Sequence, residues 1–448
     1  NHMRWMQERF QLAAHERVLQ RTSSSFDASV WEFWLPLMSG ARLHLAPAEL
    51  GTSLESLWGL VEAQRINVLQ MPPSLLQALL PFAGDDQLDS LRLLCCGGEA
   101  LSGALLEQLG RRWNGELVNL YGPTEATIDA CCFSAPVKEV GAEIPIGAPI
   151  AGVRARILDA AGGVCPVGCR GELLIAGAGL ARGYLGRPGL TAERFVPDPY
   201  GDGERIYRTG DLARLRRDGQ IDYLGRLDHQ VKIRGFRIEL GEIEARLLEQ
   251  ECVREAVVLA ADGASGQQLL GYVVPQDVGA LEGEKRGALR EALKSALKAS
   301  LPEYMVPTQW VFLAALPLLP NGKLDRKALP APEAGDSQQV YAAPETDLEQ
   351  QLAAIWAEVL KLERVGLTDN FFELGGHSLL ATQVLVRVRE QLGLEMALKE
   401  LFEFPVLTDL ARQLEGRGSV SASLQDELAK SLEALKRLTT EEIDALTS

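Results

Sequence analysis

Long apolar runs are missing from this chain. No stretch of its 448 residues stays hydrophobic for the roughly 20 residues that a bilayer-spanning helix needs, and no secretory signal opens it. Positive charge is also scarce, since 45 Lys and Arg face 61 Asp and Glu, giving a formal net charge of −16. We therefore expect a cytoplasmic protein whose main partner is neither nucleic acid nor a membrane.

The spacing of the cysteines also matches neither a zinc site nor a disulfide framework. The seven cysteines include two adjacent pairs, Cys95–Cys96 and Cys131–Cys132, and none of their spacings is typical of a zinc site. An odd number of cysteines without a disulfide framework predicts reduced thiols, as in cytosolic proteins.

The chain is long enough and apolar enough to form about three domains. Residues 1–227 alternate short apolar strands with helical stretches, with strand candidates near 66–70, 91–95 and 117–120. This βαβ rhythm predicts an α/β sheet with a site at its strand ends. From Arg154 to Ala176 the pattern becomes strand, glycine turn, strand, which predicts antiparallel pairing.

The remaining regions differ in composition. Residues 228–330 read as a small α+β domain, 331–344 as a linker rich in proline and alanine, and 345–415 as a helical bundle. The tail, 416–448, carries a leucine stripe that could dock a partner helix or fold back on the bundle, and the sequence leaves both open.

One serine opens an amphipathic stretch in the bundle. Ser378 follows Gly375 and Gly376, and Leu380 and Val384 come after it near helical spacing. No base–acid pair is nearby, and Leu380 stands where the G-x-S-x-G elbow needs its last glycine. Two interpretations stay open: a helix N-cap, or an attachment point for a phosphate-linked group beside the positive end of the helix dipole.

The run Asn119–Thr127 is the strongest chemical signal in the first region. Tyr121 offers a face for a purine base, Thr124 can donate to a phosphate, and Glu125 is a hard oxygen ligand suited to Mg²⁺. Alone, the run could equally be an ordinary turn with a capping residue.

Three further runs are individually weak. Tyr207–Asp211 ends in a carboxylate suited to the two hydroxyls of a ribose, and Gly225–Gly235 is a basic stretch bracketed by glycines. Pro320–Arg326 is a tight turn that presents Lys323. Each of these, taken separately, is also typical of a solvated turn.

Taken in this order, the motifs resemble the adenylate-forming enzymes, specifically the adenylation domain of a nonribosomal peptide synthetase. Gly375–Leu379 resembles the phosphopantetheine site of the peptidyl carrier domain that follows it. Further matching runs are Phe26–Glu32, Gly98–Ala100 and Gly171–Leu185. The resemblance implies an α/β adenylate-forming (ANL-type) core remainder, a small α+β C-terminal subdomain and a four-helix carrier bundle.

The resemblance also implies a function. An amino acid and ATP would give an aminoacyl-adenylate, which is then transferred as a thioester to 4'-phosphopantetheine on Ser378, in the biosynthesis of an antibiotic, siderophore or lipopeptide. The implied cofactors are 4'-phosphopantetheine, ATP and Mg²⁺. The implied partners are a phosphopantetheinyl transferase, condensation domains of its own and of a downstream subunit, and a small activator protein.

Roles of individual residues follow from the resemblance. The implied catalytic residues are Lys323, Thr124 and Glu125, and the implied ATP-binding residues are Tyr121, Gly98, Glu99, Ala100, Asp211 and Arg226. Glu125 would hold Mg²⁺, and Lys323 would neutralise charge where the substrate carboxylate meets the phosphate. Asp228 would be the hinge about which the small domain rotates.

The residues that match the family's substrate pocket are Asp27, Ala28, Trp31, Gln70, Cys95, Gly97, Leu120, Ile128 and Asp129, with Lys323. Asp27 would pair with the α-ammonium. Gln70 and Asp129 suit a side-chain amide, with Asp129 accepting from its NH₂ and Gln70 satisfying its carbonyl. The expected substrate is L-glutamine, with glutamate and ornithine as alternatives. Cys95 departs from the bulky aromatic often found at its position.

One part of the family pattern has no match. Nothing between Asn1 and Phe26 resembles the phosphate loop, so we expect the chain to start inside the adenylation domain and, by itself, not to bind ATP productively. Two other functions remain as alternatives. In one, only the carrier works as an interaction module. The other is a stand-alone acyl-CoA ligase or luciferase-like enzyme, which the fused carrier and Asp27 disfavour.

Overall fold

The computed structural model describes most of the chain. The described residues are 1–47, 54–84, 86–141, 143–228, 230–233, 235–263, 266–281, 283–319, 323–331, 341–372, 374–376 and 378–415. The leucine-striped tail, most of the predicted linker and part of the turn before Lys323 lie outside them.

The chain divides into two compact units. The first holds residues 1–260, 272–307 and 312–315, and the second holds 261–271, 308–311 and the described residues from 316 onward. The domain boundaries expected at residues 227, 330 and 415 stay predictions.

The first unit opens with a seven-stranded sheet. Its strands are β1 (Arg17–Gln20), β2 (Arg42–Leu45), β3 (Val68–Met71), β4 (Leu93–Gly97), β5 (Glu116–Tyr121), β6 (Cys131–Pro136) and β7 (Ala148–Pro149). The strand order is β2-β1-β3-β4-β5-β6-β7. The neighbours up to β5 run parallel, whereas β6 and β7 are antiparallel. The helices between them are α1 (His2–Phe10), α2 (Ala28–Ser39), α3 (Leu54–Ala63), α4 (Pro73–Leu79) and α5 (Gly103–Gly110).

The strands predicted near 66–70, 91–95 and 117–120 are confirmed as β3, β4 and β5. Near-continuous burial of these strands explains why their sequences are apolar throughout rather than alternating. Their register aligns Gln70 with Cys95, and Gly97 with Leu120. The carboxyl ends of three parallel strands therefore meet at one edge, where α/β sheets commonly bind ligands.

A second sheet in the same unit is antiparallel, as the pattern from Arg154 to Ala176 predicts. Its strands are β8 (Val153–Leu158), β9 (Arg170–Gly177), β10 (Phe195–Pro197), β11 (Arg205–Leu215) and β12 (Ile221–Arg226), with helix α6 (Pro188–Arg194) between β9 and β10. The order is β10-β11-β9-β8, and β12 pairs with β11. A hairpin of β13 (Val231–Ile233) and β14 (Phe236–Ile238) follows, turning at Gly235, whose φ of 80° suits glycine.

The α+β pattern that the sequence predicts for residues 228–330 follows this hairpin. Helices α7 (Leu240–Leu248) and α8 (Gly283–Ser300) accompany a three-stranded sheet of β15 (Val253–Gly263), β16 (Gly266–Pro275) and β17 (Gln309–Phe312), in that order. Short 3₁₀ turns lie at Leu80–Phe82, Thr124–Ala126, Val137–Glu139, Val278–Leu281 and Glu303–Met305.

The predicted four-helix bundle is present in the second unit. Its helices are α9 (Asp347–Leu360), α10 (Ser378–Arg387), α11 (Leu398–Glu403) and a last one that includes residues 407–415; a π-helical turn, Val388–Leu392, extends α10. Thr346 and Glu349 form a capping box that starts α9. Leu380, Val384 and Val388 are buried in the bundle core, so the apolar stripe read after Ser378 is its inward face.

Two expectations from the sequence concern membrane-spanning helices and disulfide bonds. In the described ranges, no helix combines the length and the apolar character that a membrane span requires. All seven cysteines are free thiols.

Candidate functional site

A strained loop follows β5 and carries several of the predicted residues. A side chain at Gly122 would place its Cβ 2.2 Å from the Ile128 carbonyl oxygen, so only glycine fits there. Thr127 and Ile128 have φ of 64° and 70°, a costly conformation for β-branched residues. Such strain is typical of functional sites, and here it orients Ile128 and the residue after it.

The apolar residues of the predicted amino-acid pocket lie together. Trp31, Cys95, Leu120 and Ile128 belong to one buried cluster, and Ala28 packs against it. A Cβ at Gly97 would lie 3.1 Å from the Leu120 carbonyl oxygen, so this position has little room for a side chain. Strands β4 and β5, helix α2 and the loop after β5 thus bring these residues into one buried cluster.

Three residues of the predicted pocket have a buried polar atom without a partner among the described residues. Asp27 Oδ2, Trp31 Nε1 and Gln70 Oε1 are buried, and none of them has a hydrogen-bond partner in the described part of the chain. Burial raises the pKa of Asp27, and the charge of Asp129 raises it further, against a hydrogen bond from Thr124 that lowers it. A ligand with matching polar groups would satisfy all three atoms.

Asp129 differs from those three residues because the protein gives it a partner. His2 Nε2 lies 2.8 Å from Asp129 Oδ2, and the two residues are 4% and 7% exposed. They also line a cavity of about 70 Å³ beside the loop. Sequence analysis missed His2, because it lies 127 positions before Asp129 and carries no motif.

A network of carboxylates and one arginine occupies the predicted ribose-binding position. The Tyr121 hydroxyl donates to Asp211, and Arg226 Nη1 donates to Asp211 Oδ1 at 2.8 Å. Arg226 also binds Asp228 through two hydrogen bonds of 2.7 and 2.6 Å. Burial and the Asp211 charge raise the pKa of Tyr121, and Arg226 outweighs burial to lower that of Asp228. We call these four residues the carboxylate network.

The segment Gly98–Ala100 lies next to the β13–β14 hairpin. A Cβ at Gly98, whose φ is 82°, would be 3.8 Å from the Gly235 Cα. Glu99 Oε2 accepts a hydrogen bond from the Ser74 amide at 2.9 Å. The ammonium of Lys232, which the sequence reading did not select, lies 5.4 Å from the centroid of the Tyr121 ring. Burial lowers the pKa of Lys232.

Glu125 is fully engaged by other side chains. Its Oε1 accepts from the Tyr184 hydroxyl at 2.7 Å, and its Oε2 accepts from Arg237 Nη1 at 2.8 Å. Although burial raises the pKa of Glu125, the charge of Arg237 and these hydrogen bonds lower it overall. Within the described residues, no group of three or more His, Cys, Asp or Glu could hold a metal ion. Both oxygens of Glu125 thus accept hydrogen bonds from the protein. Its role as the Mg²⁺ ligand stays a prediction, because Mg²⁺ at nucleotide sites is held by one or two carboxylates together with substrate phosphates.

Lys323 and Ser378 belong to the second unit. Lys323 is exposed, and its carbonyl accepts a hydrogen bond from the Leu319 amide at 2.7 Å. Ser378 is the first residue of α10, as its spacing predicts. A Cβ at Gly376 would lie 2.4 Å from the Phe371 ring, so the glycine before this helix is sterically required.

Comparisons with known proteins agree with this arrangement. The sequence model of the AMP-binding enzyme family matches residues 1–185, and that of the AMP-binding enzyme C-terminal domain matches 242–323. The phosphopantetheine attachment site model matches residues 350–414, which include Ser378. These families imply ATP, Mg²⁺ and 4'-phosphopantetheine as cofactors.

Two related proteins are similar to most of this chain. Tyrocidine synthase 3 of Brevibacillus parabrevis is 48% identical over 414 residues, which are 92% of this chain and 6% of that protein. A dimodular nonribosomal peptide synthase of Bacillus subtilis is 45% identical over 94% of this chain and 17% of its own length. The chain therefore spans a small part of these relatives.

A solved nonribosomal peptide synthetase protein containing adenylation and PCP domains, bound to a vinylsulfonamide inhibitor, shares the fold. Its TM-score is 0.72 at 31% identity, over 90% of this chain and 66% of that one. Family matches, relatives and fold thus agree over the α/β core and the carrier bundle. The chain belongs to the nonribosomal peptide synthetase family, with an AMP-binding enzyme region followed by a phosphopantetheine attachment site domain.

Proposed function

We propose that this chain, as part of a nonribosomal peptide synthetase, contributes to activating L-glutamine with ATP as the aminoacyl-adenylate and to passing it to phosphopantetheine on Ser378. One observation carries the choice of substrate: the three buried polar atoms of Asp27, Trp31 and Gln70 that have no partner among the described residues. Each such atom costs about 1–3 kcal/mol when left unsatisfied, so a ligand that bonds to all three is favoured.

Glutamine matches the chemistry of each atom. Its α-ammonium would pair with Asp27, which needs a cation because burial makes its ionised form unfavourable. Its side-chain amide has two N–H donors and one carbonyl. The N–H groups would donate to Gln70 Oε1 and Asp129, and Trp31 Nε1 would donate to the carbonyl. This assignment gives the carbonyl to Trp31 rather than to Gln70.

The alternative substrates satisfy fewer of these atoms. Glutamate would place a second carboxylate beside Asp129, which is unfavourable unless one of the two is protonated. Ornithine has no acceptor in its side chain, so Trp31 Nε1 would stay unbonded. These differences favour glutamine over both.

The reaction would proceed in two steps. A carboxylate oxygen of the amino acid attacks the α-phosphorus of ATP, and pyrophosphate leaves with the electron pair of the broken P–O bond. Lys323 and Thr124 would neutralise the charge that develops there. Phosphopantetheine on Ser378 would then supply the thiol that takes the acyl group and releases AMP. Between the steps, Asp228 would be the hinge.

The adenylate site is expected to use Tyr121, Asp211 and Arg226 for the nucleotide. Asp211 already accepts from Tyr121 and Arg226, so ribose hydroxyls would bond to its remaining lone pairs or displace one donor. The partners would be a phosphopantetheinyl transferase and the condensation domains on either side of this segment in the synthetase.

Two measurements on the full-length protein test the proposal. Amino-acid-dependent exchange of pyrophosphate into ATP, across a panel of amino acids, should be fastest with L-glutamine. Incubation with a phosphopantetheinyl transferase and coenzyme A should add one phosphopantetheine to the intact mass. Ser378→Ala should abolish this addition and leave exchange unchanged, whereas Ser300→Ala, an exposed serine in α8, should change neither.

Each failure has a distinct meaning. Preference for an aliphatic amino acid would refute glutamine as the substrate. Pantetheinylation without exchange would instead select the alternative in which the carrier works alone.

A further inference from the structure

The substrate pocket has one polar residue whose partner comes from outside the predicted set. Asp129 Oδ2 lies 2.8 Å from His2 Nε2. Both side chains are almost fully buried, at 10% and 4% exposure. His2 is fixed by α1, where its ring lies 5.6 Å from the ring of Trp5. The contact is therefore built into the helix rather than made by a mobile surface side chain.

The direction of this hydrogen bond is fixed by chemistry. A carboxylate only accepts, so His2 must carry its proton on Nε2. His2 Nδ1 is buried and has no partner within the described chain. Whether or not Nδ1 carries a proton, Nε2 is the atom that donates to Asp129.

This donor changes what Asp129 can offer to a substrate. With Oδ2 bonded to His2, mainly Oδ1 is left to accept. One acceptor suits one N–H of a primary amide, whereas an ammonium with three donors is best served by both oxygens of a carboxylate. The histidine also draws charge from the carboxylate, which weakens its attraction for a cation.

We propose that His2 is a specificity-determining residue: by holding Asp129 Oδ2, it biases the pocket toward a side-chain amide and against a cationic side chain of similar length. The inference rests on the proposed function, because it assumes that Asp129 faces the substrate side chain. It adds a residue on α1 to the pocket set read from the sequence.

Calorimetric affinities of the full-length protein for L-glutamine and L-ornithine test the role of His2. His2→Leu removes the donor at similar volume, and we expect it to raise the affinity for ornithine relative to glutamine by about tenfold. His2→Gln keeps an N–H donor at similar reach and should restore the wild-type ratio. His15→Leu makes the same change at an exposed histidine of this unit and should leave the ratio unchanged.

A double-variant cycle separates this role from simple support of the fold. In an Asp129→Asn background, His2→Leu should no longer change the affinity ratio, because the acceptor that His2 orients has lost its charge. A purely structural histidine would lower both affinities in either background. That result, or an unchanged ratio in His2→Leu, would overturn the role of His2 while leaving glutamine as the substrate. A wild-type preference for an aliphatic amino acid would overturn the substrate and this inference together.

Discussion

The proposed amino-acid pocket and the carboxylate network lie in the same unit, but the buried polar groups have opposite environments in the two regions. In the pocket, Asp27, Trp31 and Gln70 each keep a buried atom without a partner among the described residues. In the network, Asp211 and Asp228 share Arg226, and Tyr121 donates to Asp211. The pocket is thus prepared for a ligand, whereas the network is already satisfied by the protein.

This difference has energetic consequences. Unsatisfied atoms in the pocket lower the stability of the free protein and favour binding, because a ligand recovers their lost hydrogen bonds. The network stabilises the free protein, and a nucleotide must compete with existing bonds to enter it. Substitutions should therefore affect mainly stability in the network and mainly affinity in the pocket.

The largest expected effect is on the network. Arg226→Met should lower the free energy of unfolding by about 3 kcal/mol, because it leaves the buried Asp211 carboxylate without its cation. Urea unfolding followed by tryptophan fluorescence measures this change. Arg111→Met is the matched control, since the Arg111–Glu107 pair is 72% and 70% exposed, and it should cost under about 0.5 kcal/mol. Equal losses in both variants would contradict the distinction between the two regions.

In the proposed pocket we expect a smaller effect, which concerns kcat/KM rather than the free energy of unfolding. Asp27→Asn should lower kcat/KM for the amino acid about 100-fold, because the α-ammonium loses a buried charged partner. The same variant should keep or gain stability at neutral pH. Because burial raises the pKa of Asp27 above its ordinary value of 3.8, the folded protein loses stability as the pH rises from 3.8 through the higher folded pKa.

Two measurements check this prediction: amino-acid-dependent exchange for affinity and thermal unfolding for stability. Asp89→Asn, which changes an exposed aspartate of the same unit, should alter neither. A clear loss of stability in Asp27→Asn would show that Asp27 already has a good partner in the free protein.

The smallest effect concerns Glu125, where the comparison can be sharpened through pH. Arg237 and Tyr184 lower the pKa of Glu125 below its ordinary 4.5 despite burial. The ionised carboxylate therefore adds stability above that pH, and the contribution is lost as the pH falls through the lower folded pKa.

Arg237→Gln removes the main favourable charge, so burial should then raise the pKa of Glu125. We expect a difference of about 1 kcal/mol in the acid dependence of unfolding between about pH 4 and about pH 7. Urea unfolding at a series of pH values measures it. Arg246→Gln, whose partner Glu249 is 58% exposed, should follow the wild-type profile. An unchanged acid dependence in Arg237→Gln would mean that Arg237 does not control Glu125.

Much of the fold could be read from the sequence, because the signals are local. Strands β3, β4 and β5 are apolar runs that end at Pro or Gly turns, and Ser102 caps α5. Ser378 begins α10 at the position predicted from its glycines and apolar spacing. Parts of the site were equally readable, since a shared apolar cluster holds Trp31, Cys95, Leu120 and Ile128.

Other features of the site had no local signal. The contact of His2 with Asp129 joins residues 127 positions apart, and that of Arg237 with Glu125 joins residues 112 apart. Both depend on where helices and hairpins meet in space. For the same reason the sequence did not indicate that Tyr184 and Arg237 donate to the two oxygens of Glu125.

The sequence by itself therefore determined the family, the order of elements and the chemical types available at each strand end. Those follow from short-range patterns of burial, turns and caps, which are properties of neighbouring residues. Only the tertiary structure decided which carboxylates are already paired and which polar atoms stay open. That choice depends on side chains brought together from distant segments, and it separates a pocket prepared for a ligand from a network that is complete without one.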